Sequence, residues 1–414
     1  MRESRTALTM SNPSRPEATT KLSITLPLDR WQPDRGGAER YLDQLVRALC
    51  ARGHCVTVLC LESNLTDDVL PPRLSIERLS VPRFPRFWRE RAFAVASTEQ
   101  HVRAQRDLLF AARHAQTADV YQPHGGCFLK AKAGALAHLS GVRRGLRRAI
   151  AAVRPTTRVL LGLDREIFLR SPKVAVISLS EKVERDFQAA YPDVNFRFRR
   201  VYNGVDLDAF HDRDRIERTS ALRAAFPIPA EHSIGVFLAY HFGPKGLEHA
   251  LAAVAQTENW TLLVGGRSEA GPFRRVAARL GIANRVFFLG RVANTREVLA
   301  AADALLLPSY YDPCALVVLE ALACGTPVIT TRQNGSGELV REGESGFVLT
   351  DPRQESQMAR SLEKIAADWE RYHRGALAQR KLLDWNDHVD RIEGVLCEVA
   401  LQKVGSGSRS VQTE

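Results

Sequence analysis

Short apolar runs alternate with amphipathic segments along most of the chain, and this alternation predicts parallel β-sheets covered by helices. In the first repeat, strands at 22–27 and 55–61 flank a segment whose apolar residues have helical spacing. This apolar face consists of Tyr41, Leu42, Leu45, Val46 and Leu49. A strand–helix–strand unit joins parallel neighbours, so a parallel sheet is expected in the first half. Further strands are predicted at 74–81, 119–122 and 174–179, with mainly helical, basic sequence over 129–170.

The alternation becomes regular from Ser233 and predicts a second sheet of the same kind. Its strands are expected at 234–240, 260–264, 286–289, 304–307, 327–330 and 346–349. Turn-forming residues at 202–206 mark the seam between two domains, assigned to 21–204 and 205–385. We therefore predict an α/β protein in which two Rossmann-like, doubly wound parallel-sheet domains face each other across a cleft.

The two ends of the chain have different patterns. The last predicted helix, 386–403, is expected to return to the first domain, because its apolar face must pack against something. That face consists of Val389, Ile392, Val395 and Leu396. Residues 1–20 and 404–414 are polar, and we expect both segments to be disordered.

Net charge and cysteine usage narrow the possible function classes. The chain carries a formal net charge of +11, which indicates an anionic partner such as nucleic acid, an acidic membrane surface or a phosphorylated substrate. No apolar run approaches the roughly 20 residues that a transmembrane helix needs, and residues 1–20 lack the apolar core of a signal peptide. The seven cysteines are scattered and form no CxxC pair, which argues against a zinc site or a disulfide framework. We therefore expect a cytoplasmic protein.

Glu320 is the one acid in an otherwise apolar, helix-prone stretch at 315–323. A buried carboxylate is tolerated only when it is paired or fully hydrogen-bonded. Asp312 lies on the loop between a predicted strand and this helix, so both acids are expected at the carboxyl edge of a sheet, where such folds bind ligands. The amides at the helix start, 314–316, favour a phosphate. The arrangement suits a sugar nucleotide; the alternative is that Glu320 simply pairs with a neighbouring arginine.

Two further features indicate phosphate binding. Gly36 and Gly37 precede a predicted helix and allow the backbone to approach a diphosphate at its N-terminus, although a lone Gly-Gly pair is also typical of a simple turn. Lys245 opens another predicted helix, where its charge opposes the helix dipole unless an anion is present. A solvated surface lysine is the alternative.

The order and spacing of these motifs resemble the retaining glycosyltransferases of family 4, which have the GT-B fold. The matching segments are 36–40, 52–58, 203–206, 243–246, 263–266, 286–290 and 301–347. Within that family the chain is most similar to the lipopolysaccharide core glucosyltransferases, through the segments at 119–121 and 241–246 and through Cys127.

The resemblance implies transfer of a hexose, expected to be glucose from UDP-glucose, to a lipopolysaccharide-core or related cell-envelope glycolipid, without a metal or other cofactor. It implies that Lys245 contacts the donor phosphates and Glu320 the ribose hydroxyls. The expected catalytic residues are Asp312, beside the donor sugar, and His124, on a loop after a predicted strand; a solvated loop histidine is the alternative for His124. The implied donor-binding residues are Gly36, Gly37, His241, Lys245, Val292, Cys314, Ala315, Leu316, Val317 and Glu320.

The chain departs from the family pattern at several positions. Asp312 stands where glutamate is usual, and Cys314 and Ala315 replace an aromatic or small residue and a glycine. No arginine shortly precedes Lys245, so His241 or a distant arginine is expected to contact the diphosphate, or phosphate binding is weaker. These departures motivate a second hypothesis, a non-catalytic nucleotide-sugar sensor or scaffold. The same chemistry on an exopolysaccharide or small-molecule acceptor is also open.

Two basic segments, 81–106 and 141–154, carry much of the positive charge. Arginines together with Trp and Phe suit peripheral contact with an anionic membrane, on the inner face of the cytoplasmic membrane; a solvated face with a few core aromatic residues is the alternative. No nucleic-acid-binding module accompanies the charge, so nucleic acid is not expected. The DxD string at 206–208 lies in the interdomain turn and is interpreted as coincidental. A nicotinamide-dependent oxidoreductase is disfavoured, because no GxGxxG follows the first strand.

Overall fold

The computed structural model describes residues 20–33, 36–65, 70–82 and 84–407, which form two α/β domains. The first domain contains a seven-stranded parallel sheet in the order β5-β3-β1-β6-β7-β8-β9 and a separate β2-β4 pair. Its strands are β1 (Ser23–Pro27), β2 (Arg30–Trp31), β3 (Cys55–Cys60), β4 (Glu62–Ser63), β5 (Leu74–Arg78), β6 (Leu108–Ala111), β7 (Val120–Tyr121), β8 (Ala175–Ser178) and β9 (Arg197–Arg200). Its helices are α1 (Gly37–Ala51), α2 (Arg86–Arg103), α3 (Phe128–Ala135), α4 (Gly141–Val153), α5 (Pro155–Arg170) and α6 (Glu181–Ala190).

The second domain contains a six-stranded parallel sheet in the order β12-β11-β10-β13-β14-β15. Its strands are β10 (Ser233–Leu238), β11 (Trp260–Gly265), β12 (Val286–Gly290), β13 (Ala304–Leu307), β14 (Val328–Thr331) and β15 (Gly346–Leu349). The helices after the seam are α7 (Arg215–Ala225), α8 (Leu247–Val254), α9 (Gly271–Arg279), α10 (Thr295–Ala301), α11 (Leu316–Ala323), α12 (Glu355–Ala367), α13 (Trp369–Leu377) and α14 (Trp385–Gly407). The predicted twin doubly wound architecture is confirmed.

Each sheet reverses its strand order at one point, and these two points define a cleft. The order reverses between β1 and β6 in the first sheet and between β10 and β13 in the second. The connections that follow such a pair of strands diverge, so a crevice opens at their carboxyl ends. Gly36 and Gly37 follow β1, Lys245 follows β10, and Asp312 follows β13. The glycines, the lysine and the aspartate that were predicted to bind the donor therefore follow strands that flank the crevice.

The last helix, α14, packs on the first domain, as predicted. Its apolar face belongs to the same buried cluster as β1 and β3, and consists of Val389, Ile392, Val395 and Leu396. The helix continues to Gly407, which corrects the prediction that a disordered tail begins at 404. Lys403 donates to the carboxylate of Asp119 at 2.9 Å, an ion pair that holds the last turns against the first domain. Residues 1–19 and 408–414 lie outside the described residues.

The two domains also meet beside the loop that carries Asp312. The carboxylate of Glu338 accepts hydrogen bonds from the amides of Glu181 and Lys182 at 2.9 and 2.8 Å, at the N-terminus of α6. A negative charge at a helix N-terminus is favourable, because it satisfies amides that have no acceptor within the helix. Ser180 donates to the carbonyl of Pro313 at 2.8 Å. The cleft is thus bordered by specific contacts between the domains.

Two strands of the first sheet are absent from the predictions. The strand β6 is a four-residue, fully buried apolar run, and such a run cannot be distinguished from a buried helical segment by periodicity. The strand β9 reads Arg-Phe-Arg-Arg and lies at the edge of the sheet. Its arginines hide the apolar signal on which strand prediction depends.

Candidate active site

A cleft of about 540 Å³ lies between the carboxyl ends of the two sheets. Almost all of the predicted site residues line it, from both domains. These are Gly36, Gly37, His124, Lys245, Val292, Asp312, Cys314, Ala315, Leu316, Val317 and Glu320. His241 is the exception: its ring is exposed, lies 4.7 Å from the ring of Tyr240, and does not line the cleft. The expectation that His241 replaces the missing arginine therefore has no support from this geometry.

Glu320 lies on α11 with only 6% of its surface exposed. One carboxylate oxygen accepts from Arg40 Nη2 at 2.9 Å, and the other accepts from the hydroxyl of Thr295 at 2.9 Å. Burial raises the pKa of Glu320, while the Arg40 charge and the Thr295 hydrogen bond lower it. The arginine pairing considered as an alternative therefore exists, and it exists at the wall of the cleft. Arg40 comes from α1, so this pair also joins the two domains.

Lys245 and Asp312 form an ion pair on the second-domain side of the cleft. The ammonium also donates to the carbonyl of Tyr311 at 3.1 Å, and the second Asp312 oxygen accepts from the amide of Cys314 at 3.1 Å. Gly246, the next residue after the lysine, has a φ of +80°, and a Cβ there would lie 2.2 Å from the carbonyl oxygen of Pro308. Only glycine fits this turn, which fixes the point at which Lys245 leaves the backbone.

The N-terminus of α11 provides backbone amides to the cleft. The amides of Cys314 and Ala315 are already bonded, to Asp312 Oδ1 and Asn334 Oδ1. Those of Leu316 and Val317 have no hydrogen-bond acceptor within the described part of the chain. Two unpaired amides at the start of a helix can bind an anion. The four predicted backbone positions therefore divide into two that shape the loop and two that remain for a ligand.

Cys314 and Ala315, two of the departures from the family pattern, are buried and tightly held. The hydroxyl of Ser336 donates to the carbonyl of Ala315 at 2.9 Å and contacts Cys314 Sγ at 3.6 Å. Burial raises the pKa of the Cys314 thiol to about 12, so the group is neutral at physiological pH. Neither residue introduces a charge into the cleft, and the loop keeps a defined shape.

His124 lies on the loop between β7 and α3 and reaches the cleft from the first domain. Its Nε2 atom is buried and has no hydrogen-bond partner within the described residues. Its ring lies 4.5 Å from the ring of Tyr41. Burial lowers the pKa of His124 to about 3, so the imidazole is neutral at pH 7. A neutral, unpartnered imidazole nitrogen at a cleft wall is suited to a hydroxyl of a bound sugar.

Several lining residues were not among the predicted site residues. The cationic ones are Arg40, Arg267 and Arg291, and the polar ones include Thr295 and Tyr240. Arg267 and Arg291 follow the ends of β11 and β12, one strand and two strands from the switch point. Both arginines could have been predicted from this position, because ligand-binding residues in such sheets follow the ends of strands. An arginine shortly before Lys245 is absent, but arginines from neighbouring strand ends line the same cleft.

The DxD string does not line the cleft. Asp206 Oδ1 accepts from the amides of Asp208 and Ala209 at 3.0 Å each, so its carboxylate shapes the interdomain turn. Within the described ranges, no cluster of three or more histidine, cysteine, aspartate or glutamate side chains is arranged to hold a metal ion.

Comparisons with known proteins match both domains. The model for Glycosyltransferase Family 4 matches residues 35–209, and the model for Glycosyl transferases group 1 matches residues 219–381. The lipopolysaccharide glucosyltransferase WaaG of Escherichia coli K12 is 27% identical over 206 residues, which are 49% of this chain and 55% of that protein. The lipopolysaccharide core biosynthesis glycosyltransferase LpsE of Rhizobium meliloti is 34% identical over 147 residues, 35% of this chain and 43% of that protein. The matches thus span about half the length of these relatives.

Solved structures show the same fold. The crystal structure of WaaG has a TM-score of 0.73 at 22% identity, with 90% of this chain and 99% of that chain covered. Anabaena HepE in complex with UDP-glucose has a TM-score of 0.64 at 19% identity, with 93% and 100% covered. The two family models together match most of both domains, and the chain belongs to glycosyltransferase family 4, with the GT-B fold.

Proposed function

We propose that this protein transfers a hexose, with glucose from UDP-glucose as the expected donor, to a hydroxyl of a lipopolysaccharide-core or related cell-envelope glycolipid. The observation that carries the proposal is the meeting of Lys245, Glu320 and the unpaired amides of α11 in one interdomain cleft. The names of WaaG and LpsE support a lipopolysaccharide acceptor, and the complex of HepE with UDP-glucose supports the donor.

In the proposed complex, Glu320 accepts hydrogen bonds from the ribose hydroxyls. The carboxylate is buried and held from two sides, so its position is fixed before the nucleotide arrives. The amides of Leu316 and Val317 bind the diphosphate, together with Lys245 and the arginines at the ends of β11 and β12. This assignment accounts for the positive lining of a cleft that also contains two acids.

The proposed transfer step needs no nucleophile from the protein. The acceptor hydroxyl oxygen forms a bond to C1 of the sugar while the bond from C1 to the diphosphate oxygen breaks. The proton of the acceptor passes to that leaving oxygen on the same face of the sugar, so the configuration at C1 is retained and the nucleoside diphosphate departs. Negative charge develops on the diphosphate in the transition state, and the Lys245 ammonium stabilises it there more than in the ground state.

Asp312 and His124 position the reacting groups in this scheme. Asp312 holds the Lys245 ammonium by an ion pair and fixes the loop through the Cys314 amide. His124 is neutral, so it can hydrogen-bond a hydroxyl of the transferred sugar without adding charge near C1. The domain contacts beside this loop exclude water from the diphosphate and limit hydrolysis of the donor.

We further propose peripheral contact with an anionic membrane through α4 and the segment 81–106, at the cytoplasmic face. The helix α4 buries none of its side chains, and one of its faces is apolar and exposed. That face consists of Val142, Leu146, Ile150 and Val153. Arginines at 143, 144, 147 and 148 occupy the remaining surface of the helix. Apolar side chains on one face and arginines on the other suit shallow insertion into anionic lipid. Within the described residues, no helix is long and apolar enough to cross a bilayer.

A second candidate function is a nucleotide-sugar sensor or scaffold without turnover. The specific observation in its favour is the Lys245–Asp312 ion pair, in which a shorter acid than the family's glutamate engages the cation that the phosphates require. Such a protein would bind the nucleotide and release no sugar from it. Turnover of a donor that disappears in Lys245→Ala rejects this alternative.

Thermal stabilisation by UDP, GDP, ADP and their glucose conjugates tests the donor site. A ligand present at a thousand times its dissociation constant adds about 4 kcal/mol to the free energy of unfolding. We expect stabilisation by UDP and UDP-glucose that is lost in Glu320→Ala and kept in Glu363→Ala. Glu363 is exposed on α12 and makes no ion pair with any residue that the structure describes. No stabilisation by any nucleotide would reject the proposed donor site.

A further inference from the structure

A second cavity, of about 780 Å³, lies within the first domain next to the donor cleft. Ala38 and His124 line both spaces, so the two are separated by little more than the loop that carries His124. Its walls come from the ends of β1 and β6, from the start of α2, and from α3 and the start of α5. Apart from His124, no residue of this cavity takes part in the proposed binding of the donor.

The lining of this cavity is rich in cations. It contains Arg30, Arg86, Arg113, Lys132 and Arg154, against the acids Asp29, Glu39 and Glu90. Each of the first three arginines pairs with a carboxylate, from Glu62, Glu90 and Asp29 respectively. Lys132 and Arg154 have no carboxylate within ion-pair distance among the described residues. Two unpaired cations, both exposed, therefore lie at one side of the cavity, on α3 and at the start of α5.

The deeper wall offers neutral polar groups instead. The Nε2 atom of His114 and the indole Nε1 of Trp31 are buried, and neither has a hydrogen-bond partner within the described ranges. Trp31 is only 1% exposed. Burial lowers the pKa of His114 to about 4, so its imidazole is neutral at pH 7. Buried polar atoms without partners are uncommon and costly, and two of them on residues that line one cavity indicate a ligand with hydroxyl groups.

We propose that this cavity binds the acceptor, and that the acceptor is a sugar carrying a phosphate or carboxylate substituent; this rests on the function proposed above. The hydroxyl groups of the sugar contact Trp31, His114 and His124, and the substituent contacts Lys132 and Arg154. Because His124 also lines the donor cleft, an acceptor hydroxyl beside it can reach C1 of the donor sugar. Arg154 follows directly after α4, so the charged side of the cavity adjoins the helix with the exposed apolar face. A lipid-linked acceptor can therefore enter from that side.

Binding of three small sugars distinguishes the parts of this proposal. Saturation-transfer NMR with glucose, glucose 6-phosphate and glucuronic acid is measured in the presence of saturating UDP. We expect the two anionic sugars to bind at least about tenfold more tightly than glucose, because each gains charge-assisted hydrogen bonds. The double variant Lys132→Ala/Arg154→Ala should lose this preference. The control Arg143→Ala/Arg148→Ala removes the same charge from exposed positions of α4 that do not line the cavity, and should retain it.

Four other outcomes would overturn part or all of the proposal, and one would identify the substituent. Equal binding of all three sugars, or equal losses in both double variants, would show that no specific anion site exists. Inorganic phosphate that competes as well as glucose 6-phosphate would indicate an adventitious ion only. Undetectable binding of every sugar while UDP still binds would remove the acceptor site and leave the donor site intact. If UDP also fails to bind, the proposed function fails with it. A preference for only one of the two anionic sugars identifies the substituent.

Trp31→Phe provides a second test that does not change charge. The substitution removes the indole N–H and keeps an aromatic ring in the core, so all three sugars should lose affinity by a similar factor. Circular dichroism and unchanged UDP binding establish that the variant is folded. Unchanged binding of all three sugars in a folded variant would remove Trp31 from the site.

Discussion

The charged groups of the donor cleft and the polar groups of the second cavity are satisfied in different ways. On the second-domain side, Glu320 and Lys245 each have two protein partners at or within 3.1 Å. In the second cavity, three lining residues have a buried nitrogen atom without a partner within the described residues, namely Trp31 Nε1, His114 Nε2 and His124 Nε2. Groups of the first kind are positioned before the ligand binds, whereas groups of the second kind need the ligand to complete their hydrogen bonds.

This difference indicates how each side obtains specificity. A preorganised site loses little conformational entropy on binding and tolerates little change in shape. A cavity with unpartnered polar atoms gains from each hydroxyl that fits, since an unsatisfied buried group costs about 1–3 kcal/mol. We therefore expect variants on the donor side to have large effects on turnover and stability, and variants on the other side to have smaller, ligand-dependent effects.

The largest effect is expected from Lys245→Ala. Loss of a preorganised cation that stabilises charge in the transition state should lower kcat by about 10²- to 10³-fold, or roughly 3–4 kcal/mol. The measurement is release of UDP from UDP-glucose with the acceptor present. Lys381→Ala is the control and should be unchanged, because Lys381 is exposed and forms no ion pair within the described part of the chain. A turnover close to that of the wild type in Lys245→Ala would mean that the donor side is not preorganised around this cation.

The next largest effect is expected on the free energy of unfolding, and it differs between two glycines, one from each domain. Gly246→Ala should lower the free energy of unfolding by about 2–3 kcal/mol, because the residue has a positive φ and a Cβ would collide with the Pro308 carbonyl. Gly145→Ala should raise it by roughly 0.5–1 kcal/mol, because the new Cβ lies in the exposed helix α4 and, among the described residues, contacts nothing within 4 Å beyond its own stretch of helix. Urea denaturation measures both. Destabilisation by Gly145→Ala would contradict the view that this position of α4 faces solvent.

A smaller effect is expected at the proposed membrane face. Leu146→Glu should weaken binding to vesicles that contain anionic lipid by on the order of tenfold, since it places a negative charge in the apolar face of α4. Glu363→Gln is the control, because it changes one charge at an exposed position on α12, away from α4 in the sequence. Turnover on a water-soluble acceptor should remain unchanged, and co-sedimentation with vesicles measures the binding. Equal sedimentation of Leu146→Glu and wild type would exclude α4 from the contact.

The smallest effect concerns acid stability on the first-domain side. The pKa of His114 is lowered to about 4 by burial, aided by Arg113 and opposed by Asp29, against about 6.5 in the unfolded chain. The unfolded state binds more protons between these values, so stability rises with pH through the window from 4 to 6.5. Between pH 7 and 5.5 we expect the wild type to lose about 1 kcal/mol more than His114→Asn. Parallel pH profiles of the two proteins would mean that His114 is not buried as a neutral group.

Most strands and helices were predicted from the sequence. A buried parallel strand is a short apolar run, and the helices on either side of it have apolar residues at helical spacing. The assignments failed where that signal is weak, at the four-residue β6 and at the arginine-rich edge strand β9. The order of the strands in each sheet determines which loops lie next to each other at the site. That order cannot be predicted from the hydrophobic pattern of the sequence. Glu320 and Asp312 were predicted at one sheet edge, and Lys245 at the donor phosphates of the same cleft. The pairing of Arg40 with Glu320 was not predicted, because it depends on a contact across 280 positions of sequence.

The second cavity could not be predicted for a related reason. None of the four belongs to a recognisable motif: Trp31 is in β2, His114 follows β6, Lys132 is in α3, and Arg154 lies between α4 and α5. An isolated tryptophan or histidine in a sequence is indistinguishable from a core residue. Only the packing shows that their polar atoms are buried without partners. The donor-binding residues could be predicted from sequence motifs, because they lie at fixed positions after the ends of strands.

Calorimetric titration of UDP-glucose into the wild type and Glu320→Gln tests the central claim most directly, namely that the buried carboxylate at the cleft wall recognises the nucleotide. The substitution keeps the size of the side chain and removes its charge, so the fold should be unaffected while one strong acceptor is lost. We expect the wild type to bind and Glu320→Gln to bind at least about tenfold more weakly, with Glu363→Gln unchanged. Equal affinity of Glu320→Gln and wild type would mean that Glu320 serves only to join the two domains through Arg40.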